Sequence, residues 1–431
     1  MAVGTSAQPR IQVQQRWLVL ALLVFFIGLS IHYSVKVVGG NSETRSAILR
    51  WREPLQQLDS GTDIYLRYNF PYPPVLALLL QPLTRLPLLG EALVWFYLKV
   101  AMTFLALHLV FRLVETPERP FPLAAKGITV LLSLWPIMGD LQHGNVNLFI
   151  LLLVVVCLYA FRQGYDGLAG VVLGLAIACK VTPALFVPYF LWKRAWKSLA
   201  GCALGLVLFF WLVPGVFLGM QRNVQLLGSW TEQMIQPYLV SGEVFYSEYY
   251  NQSLPGLVLR LATHRPSFST YLNEQYTPLA YHNLADLDPR YAGWIVKGCM
   301  ALFALLIVWC CRTPTRRREG WRLAAEFGLV VLGMLLFSER TWKHHCVTLL
   351  LPFSVLCYYL TSEQPGRKLR AYLIGTLFAA GLLILSASIG NKDDSLGKMA
   401  QVYGVYVWAY ILLAAALVTL LRTSEAGERG C

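Results

Sequence analysis

The chain has 431 residues, of which 56% are hydrophobic and 14% charged, with a formal net charge of +13 and a mean hydropathy of +0.53. Soluble domains carry about a quarter charged residues, so this composition excludes an ordinary globular domain. The apolar residues come in blocks of roughly 18–25, long enough to cross a hydrocarbon core of ~30 Å, and in lipid such blocks must be helices because every backbone amide has to be paired internally.

The blocks predict an all-α polytopic membrane protein with about twelve transmembrane helices, at residues 17–37, 92–112, 121–138, 146–162, 166–180, 181–192, 199–218, 292–311, 321–337, 345–360, 371–389 and 402–421. The fifth and sixth are short and broken by Lys180 and Pro183, which reads as a helical hairpin or a re-entrant pair. Val75 to Leu83 follows Tyr72-Pro73-Pro74 and is too short to span, so it reads as an interfacial or re-entrant segment. The chain divides into an N-terminus (1–16), one transmembrane domain (17–421) and a tail (422–431). Two long loops, 38–91 and 219–291, interrupt the series, and connections of that length are uncommon unless functional.

Short-loop positive charge sets the orientation. Arg10 and Arg16; Arg112, Arg119 and Lys126; Arg162; Lys193, Arg194 and Lys197; Arg312, Arg316, Arg317, Arg318 and Arg322; Arg367, Lys368 and Arg370; and Arg422 and Arg429 fall at alternate ends of the spans. Those ends are expected to be cytoplasmic, both termini included, and the long loops lie on the outer side. The net charge is therefore a topological signal and implies no nucleic-acid partner. Trp17 to Val37 reads as an uncleaved anchor. The nine cysteines show no metal-ligand spacing, and Cys157, Cys179, Cys202, Cys299 and Cys310 fall inside spans as hydrophobic residues.

Chemistry-bearing residues concentrate on the outer side. Glu43 follows the first span, with Arg45 two residues on; a carboxylate at the membrane surface is partly desolvated, which suits a general base. Gly139 to Asn147 reads as a short glycine-hinged loop dense in hydrogen-bonding groups, including His143, with Asn145 as the N-cap of the next span. Lys180 lies at membrane depth, where a charge faces a partner or a cavity or snorkels to the interface. Glu248 to Gly256 reads as a polar turn feeding a short amphipathic helix, and Asn251-Gln252-Ser253 as a chance match to a glycosylation acceptor. In Ser338 to His345, Arg340, Lys343, His344 and His345 form a cationic cluster fit to bind a phosphate, with Trp342 as an interface anchor. The two adjacent histidines lack helical metal-site spacing, and the reading requires no metal and no cofactor.

Five segments in order resemble glycosyltransferase family 87, polytopic GT-C-type enzymes that use polyprenyl-phosphate sugars, typically polyprenyl-phosphomannose. They are Gly61-Thr62-Asp63-Ile64-Tyr65 with Tyr72-Pro73-Pro74; His143-Gly144-Asn145-Val146-Asn147; Ala169-Gly170 through Lys180-Val181-Thr182-Pro183 to Trp192-Lys193-Arg194; Asn251-Gln252-Ser253; and Trp342-Lys343-His344-His345. The resemblance implies a GT-C fold, about twelve transmembrane helices with outer-face loop helices, and a catalytic carboxylate soon after the first helix. Members carry an aspartate there; this chain offers Glu43, with Asp59 and Asp63 as alternatives. It further implies donor-phosphate binding by Arg340, Lys343, His344, His345 and Lys180, and sugar or acceptor binding by Arg45, Tyr72, His143, Asn145, Asn251 and Gln252.

The expected function is transfer of a sugar, mannose first among the choices, from a polyprenyl-phosphate donor to a lipid or glycan acceptor. Transfer would occur among membrane lipids at the outer (periplasmic or extracellular) face of a bacterial inner membrane. Direct displacement inverts the anomeric centre, so a β-linked donor gives an α-linkage. A transporter or flippase is the rival from another class; related halves with matching broken helices would mark it, and no second break corresponds to Lys180. A glycan ligase for lipid-linked sugars is the nearer alternative.

Overall fold

A computed structural model describes residues 7–39, 46–237, 246–272, 275–390, 392 and 395–429. Among the described residues, seven helices are long and apolar enough to cross a membrane: Leu88–Val114, Leu123–His143, Trp196–Leu218, Pro289–Cys310, Lys343–Ser362, Arg367–Ser386 and Val405–Thr423. Shorter apolar helices, Val24–Gly39, Asn147–Arg162 and Asp166–Cys179, join them. The architecture is an all-α multi-pass bundle. Among the described residues, paired strands occur in one antiparallel hairpin, Phe268–Leu272 against Gln275–Ala280, with Thr270 opposite Thr277.

The bundle has a centre and a periphery. From Leu323 to Leu336 every residue of the Trp321–Leu336 helix is buried, as expected for a helix apolar on all sides. The one carboxylate in that stretch, Glu326, accepts from Lys193 Nζ (2.8 Å), the Tyr189 hydroxyl (2.7 Å) and Thr313 N (2.7 Å). Helices Asp166–Cys179 and Trp196–Leu206 cross almost backbone to backbone. A Cβ on Gly170 would lie 2.0 Å from Ser198 O, and one on Gly201 2.3 Å from Gly167 O. Small residues at helical spacing let membrane helices approach this closely.

Three central helices are short: Asn147–Arg162 has 16 residues, Asp166–Cys179 has 14 and Trp321–Leu336 has 16. At 1.5 Å per residue they span about 21–24 Å, less than the ~30 Å of a hydrocarbon core. Their arginine-rich ends are levelled by contacts of Arg318, which pairs with Asp166, donates to Phe161 O and lies 4.4 Å above the Phe161 ring. The shortfall therefore falls at the opposite end, where Asn147, Lys180 and Ser338 lie.

Several local expectations need correction. Residues 139–143 are not a loop: the Leu123–His143 helix runs to His143 and ends on Gly144 in the left-handed region, at φ 69°. Asn145 does not cap the next helix, whose N-cap is Val146; the Leu148 amide donates instead to Asp140 Oδ2 (3.2 Å). The loop helices expected of the fold are present in the first long loop: Ala47–Arg50, Arg52–Gln56, Ile64–Tyr68 and Pro74–Leu80. The break at Lys180 is present: Asp166–Cys179 ends there, and a 3-10 turn over Thr182–Leu185 leads into Phe186–Trp192. The polar turn before Leu254–Ala262 is present as well, with the Ser253 hydroxyl accepting from Gly256 N (3.2 Å).

Candidate active site

The site grows from the chain reversal at Gly144. The helix ending at His143 and the helix starting at Asn147 are held together by Asp140, whose Oδ1 accepts from Asn147 Nδ2 (3.0 Å). Lys99 neutralises this fully buried carboxylate, Nζ to Oδ2 2.9 Å, and Trp95 Nε1 donates to Gly144 O (2.9 Å). A charge inside a span needs such a partner. Lys99 stands in an otherwise apolar run, and that was the signal by which it could have been singled out; neither it nor Asp140 was.

Asn145 is the junction of a second set of contacts. Its Oδ1 accepts from the Tyr72 hydroxyl (2.8 Å), and its Nδ2 meets His344 Nε2 (3.2 Å). Burial pushes the Tyr72 phenol above the ordinary tyrosine value, which keeps it a donor. His344 stacks on His143 with ring centroids 4.4 Å apart, and Arg50 reaches His143 Nε2 (3.4 Å). The structure thus unites Tyr72, His143, Asn145 and His344 from three separate sequence segments.

Trp342, expected as an interface anchor, is half-buried against other rings. Its ring stands among those of His344 (5.3 Å), Tyr250 (5.7 Å), His345 (6.1 Å) and His143 (6.4 Å). His345 Nδ1 lies 3.2 Å from Arg340 O. Arg340 itself sits 3.3 Å from the Tyr246 ring centroid and pairs with Glu339 (3.1 Å). Lys343 donates to Ala387 O (2.5 Å).

A small cavity opens where the short helices stop. Its walls are Asn147, Lys180, Thr182, Ser338, Thr341, His345 and Thr348, with Ile150, Met334 and Leu335 as an apolar side. Lys180 Nζ donates to Asn147 Oδ1 (2.6 Å). Lys180 and His345 are therefore brought together, whereas Arg340 and Lys343 do not line this cavity. Among the described residues no carboxylate lines it either. A cation, an imidazole and hydroxyls beside an apolar wall match a phosphate carried on a hydrocarbon chain.

Asn251 and Gln252 are fully buried and spent on backbone. Asn251 Oδ1 accepts from Thr341 N (3.0 Å), its Nδ2 donates to Glu339 O (2.8 Å), and Gln252 N donates to Thr341 O (2.6 Å). They clasp the segment that carries Trp342 and the histidines. Arg260, fully buried, gathers the carbonyls of Ser247, Glu248, Asn251, Gln401 and Val402 behind that clasp.

Among the first-loop carboxylates, Asp63 caps Ile64–Tyr68, accepting from Tyr65 N (2.9 Å) and Leu66 N (3.2 Å), and also accepts from Ser229 (2.6 Å). Asp59 accepts from Gln81 Nε2 (2.7 Å). Glu43 and Arg45 lie outside the described residues. Ser46, the first residue after them to be described, packs on Gly144.

Three similar proteins stand out. The polyprenol-phosphate-mannose-dependent alpha-(1-2)-phosphatidylinositol mannoside mannosyltransferase of Mycobacterium tuberculosis is 26% identical, covering 84% of this chain and 80% of its own. Its namesake in Mycolicibacterium smegmatis is 28% identical over 82% and 77%. The corresponding phosphatidylinositol pentamannoside mannosyltransferase of Mycolicibacterium smegmatis is 27% identical over 65% and 59%. No solved structure matches the chain. The model of glycosyltransferase family 87 matches residues 70–339, which is more than half of the chain, and the chain belongs to that family.

Proposed function

We propose that this protein transfers mannose from a polyprenyl-phosphate donor to a lipid or glycan acceptor at the outer face of the membrane. The observation that carries this is the cavity at Lys180: among the described residues an ammonium and His345 line it with no carboxylate, beside Ile150, Met334 and Leu335. That is the complement of a phosphate on a prenyl chain. Family membership and relatives named for polyprenol-phosphate-mannose supply the sugar and the donor.

The acceptor hydroxyl oxygen attacks the anomeric carbon as the carbon–oxygen bond to the phosphate breaks, and the phosphate leaves with the bonding pair. A base takes the hydroxyl proton, and cations stabilise the departing phosphate. In-line displacement inverts a β-linked donor into an α-linked product. Glu43 is the preferred base because it lies three residues before Ser46, which touches Gly144 beside His143. Asp63 and Asp59 are occupied elsewhere. Tyr72, His143 and Asn145 would serve the sugar and acceptor, a role the sequence also offers Arg45; Lys180, His344 and His345 would serve the phosphate, with Arg340 and Lys343 outside the cavity. The basic ends of the spans orient this face outward, with both termini in the cytoplasm.

The test is transfer by detergent-purified protein given radiolabelled polyprenyl-phosphomannose and membrane lipid extract. Wild-type transfer that is lost in Glu43→Gln and in His344→Ala/His345→Ala supports the reading. Retained transfer in a folded Glu43→Gln protein removes Glu43 from the base role. No transfer by the wild type with any polyprenyl-phosphate sugar overturns the function.

A further inference from the structure

Four helix segments, consecutive along the bundle, are joined at one level by a single line of polar contacts. Lys99 Nζ meets Asp140 Oδ2 (2.9 Å), Asn147 Nδ2 donates to Asp140 Oδ1 (3.0 Å), and Lys180 Nζ donates to Asn147 Oδ1 (2.6 Å). Lys99 and Asp140 are fully buried. With Leu148 N also donating to Oδ2, both carboxylate oxygens are taken. Asp140 is thus no candidate base.

The direction of the Asn147 amide is dictated by this arrangement. An ionised carboxylate only accepts, so the amide must turn its NH2 toward Asp140 and its carbonyl toward Lys180. The reverse orientation would set two donors against each other. The charges are equally determined. Lys99 offsets Asp140, whereas Lys180, among the described residues, donates to a neutral amide oxygen and faces a cavity lined by no carboxylate. A half-buried ammonium so placed, facing a cavity with an apolar side, suits an anionic ligand.

We propose that Asp140 is a positioning residue for the transfer reaction: through Asn147 it aims the Lys180 ammonium into the cavity, where that ammonium holds the phosphate of the prenyl-phosphate donor. The proposal rests on the lipid-phosphate reading above. Pairing with Lys99 lets the carboxylate orient Asn147 without adding net negative charge beside the phosphate.

The test uses full-length protein in lipid nanodiscs, with prenyl monophosphate as the binding probe and polyprenyl-phosphomannose for steady-state kinetics. In Lys99→Met/Asp140→Asn, which removes the two charges together and frees the amide to turn, Kd for prenyl monophosphate should rise about ten-fold and kcat/KM for the donor should fall by at least as much, because one ammonium holds both the bound and the departing phosphate. Lys180→Met should show a loss of the same size, and adding it to the double variant should cause no further loss, because the residues act in series. A purely structural role would instead lower the melting temperature and give additive losses, and either that additivity or unchanged binding overturns the proposal. Should the double variant fail to fold, Asn147→Leu cuts the same line while leaving Lys99–Asp140 intact, with the same expected rise and the same overturning result. Absence of prenyl-monophosphate binding by the wild type would overturn the lipid-phosphate reading itself.

Discussion

Ser46 is packed directly on Gly144: a methyl group at Gly144 would fall 2.8 Å from Ser46 Cβ, and the backbone there is left-handed at φ +69°. The Tyr33 hydroxyl closes the same contact, 3.3 Å from that position. Only glycine satisfies both the conformation and the space. The start of the first-loop helices is thereby seated on the turn that carries His143 and Asn145.

Gly144→Ala should accordingly be costly. The left-handed conformation alone costs an L-residue about 1–2 kcal/mol, and Ser46 must move in addition. The expected result is a lower melting temperature in detergent together with a loss of transfer of about ten-fold or more. Wild-type values for both would show that the first loop does not depend on this seat.

Asn145→Ala should be worse than Tyr72→Phe. The alanine leaves the buried Tyr72 hydroxyl and one face of His344 without their partner, and an orphaned buried polar group costs about 1–3 kcal/mol. The phenylalanine leaves Asn145 Oδ1 still accepting from Val146 N (2.7 Å). Melting temperature and kcat measured on both variants check the order; equal losses would contradict it.

The glycine-packed crossing gives a contrast between two positions. Gly201→Val would drive side-chain atoms into the Gly167 carbonyl and should prevent recovery of monodisperse protein. Gly127 has open space around a Cβ, so Gly127→Ala should be neutral or stabilise by about 0.5–1 kcal/mol through helix propensity. Size-exclusion profiles and melting curves report both.

Alkaline pH should loosen the first loop through Tyr65 and Tyr72. Burial raises both phenols above their ordinary value, so the stability they contribute is whole below the unfolded value of about 10 and lost as pH rises through it. Melting temperature followed by tryptophan fluorescence from pH 8 to about pH 11 should fall above pH ~10. Tyr65→Phe/Tyr72→Phe should flatten that fall by up to about 1.4 kcal/mol per pH unit for each residue removed. An unchanged slope would mean that neither phenol is held neutral by the fold.

Much of the architecture is legible along the sequence because hydrophobic spans and helix breakers are local. The break at Lys180 and the Ser253-capped helix follow from adjacent residues and reappear in the structure. What escaped is partner choice. Asn145 looked like a cap because it stands next to the helix start; Asp140 does that work from eight residues upstream, because the left-handed Gly144 folds the chain back. Trp342 carries an ordinary membrane-boundary signature, yet four rings from three segments converge on it. Lys99 and Asp140 are 41 residues apart, a separation no periodicity reports. Asn251 and Gln252, expected at the sugar or acceptor, are buried and clasp the segment ahead of the histidines.

The three short central helices have a consequence for the surrounding membrane. Lys99 lies eleven residues, about 16 Å, along Leu88–Val114 from its start, and the polar line to Lys180 meets the helix there. A phosphate tethered to a long hydrocarbon chain can then reach Lys180 while its tail stays in apolar surroundings, because the aqueous floor is lowered to the lipid. Hydrophobic thickness becomes a determinant of turnover: acyl chains long enough to submerge the rim would seal the cavity from its acceptor, and thinner bilayers would leave it open.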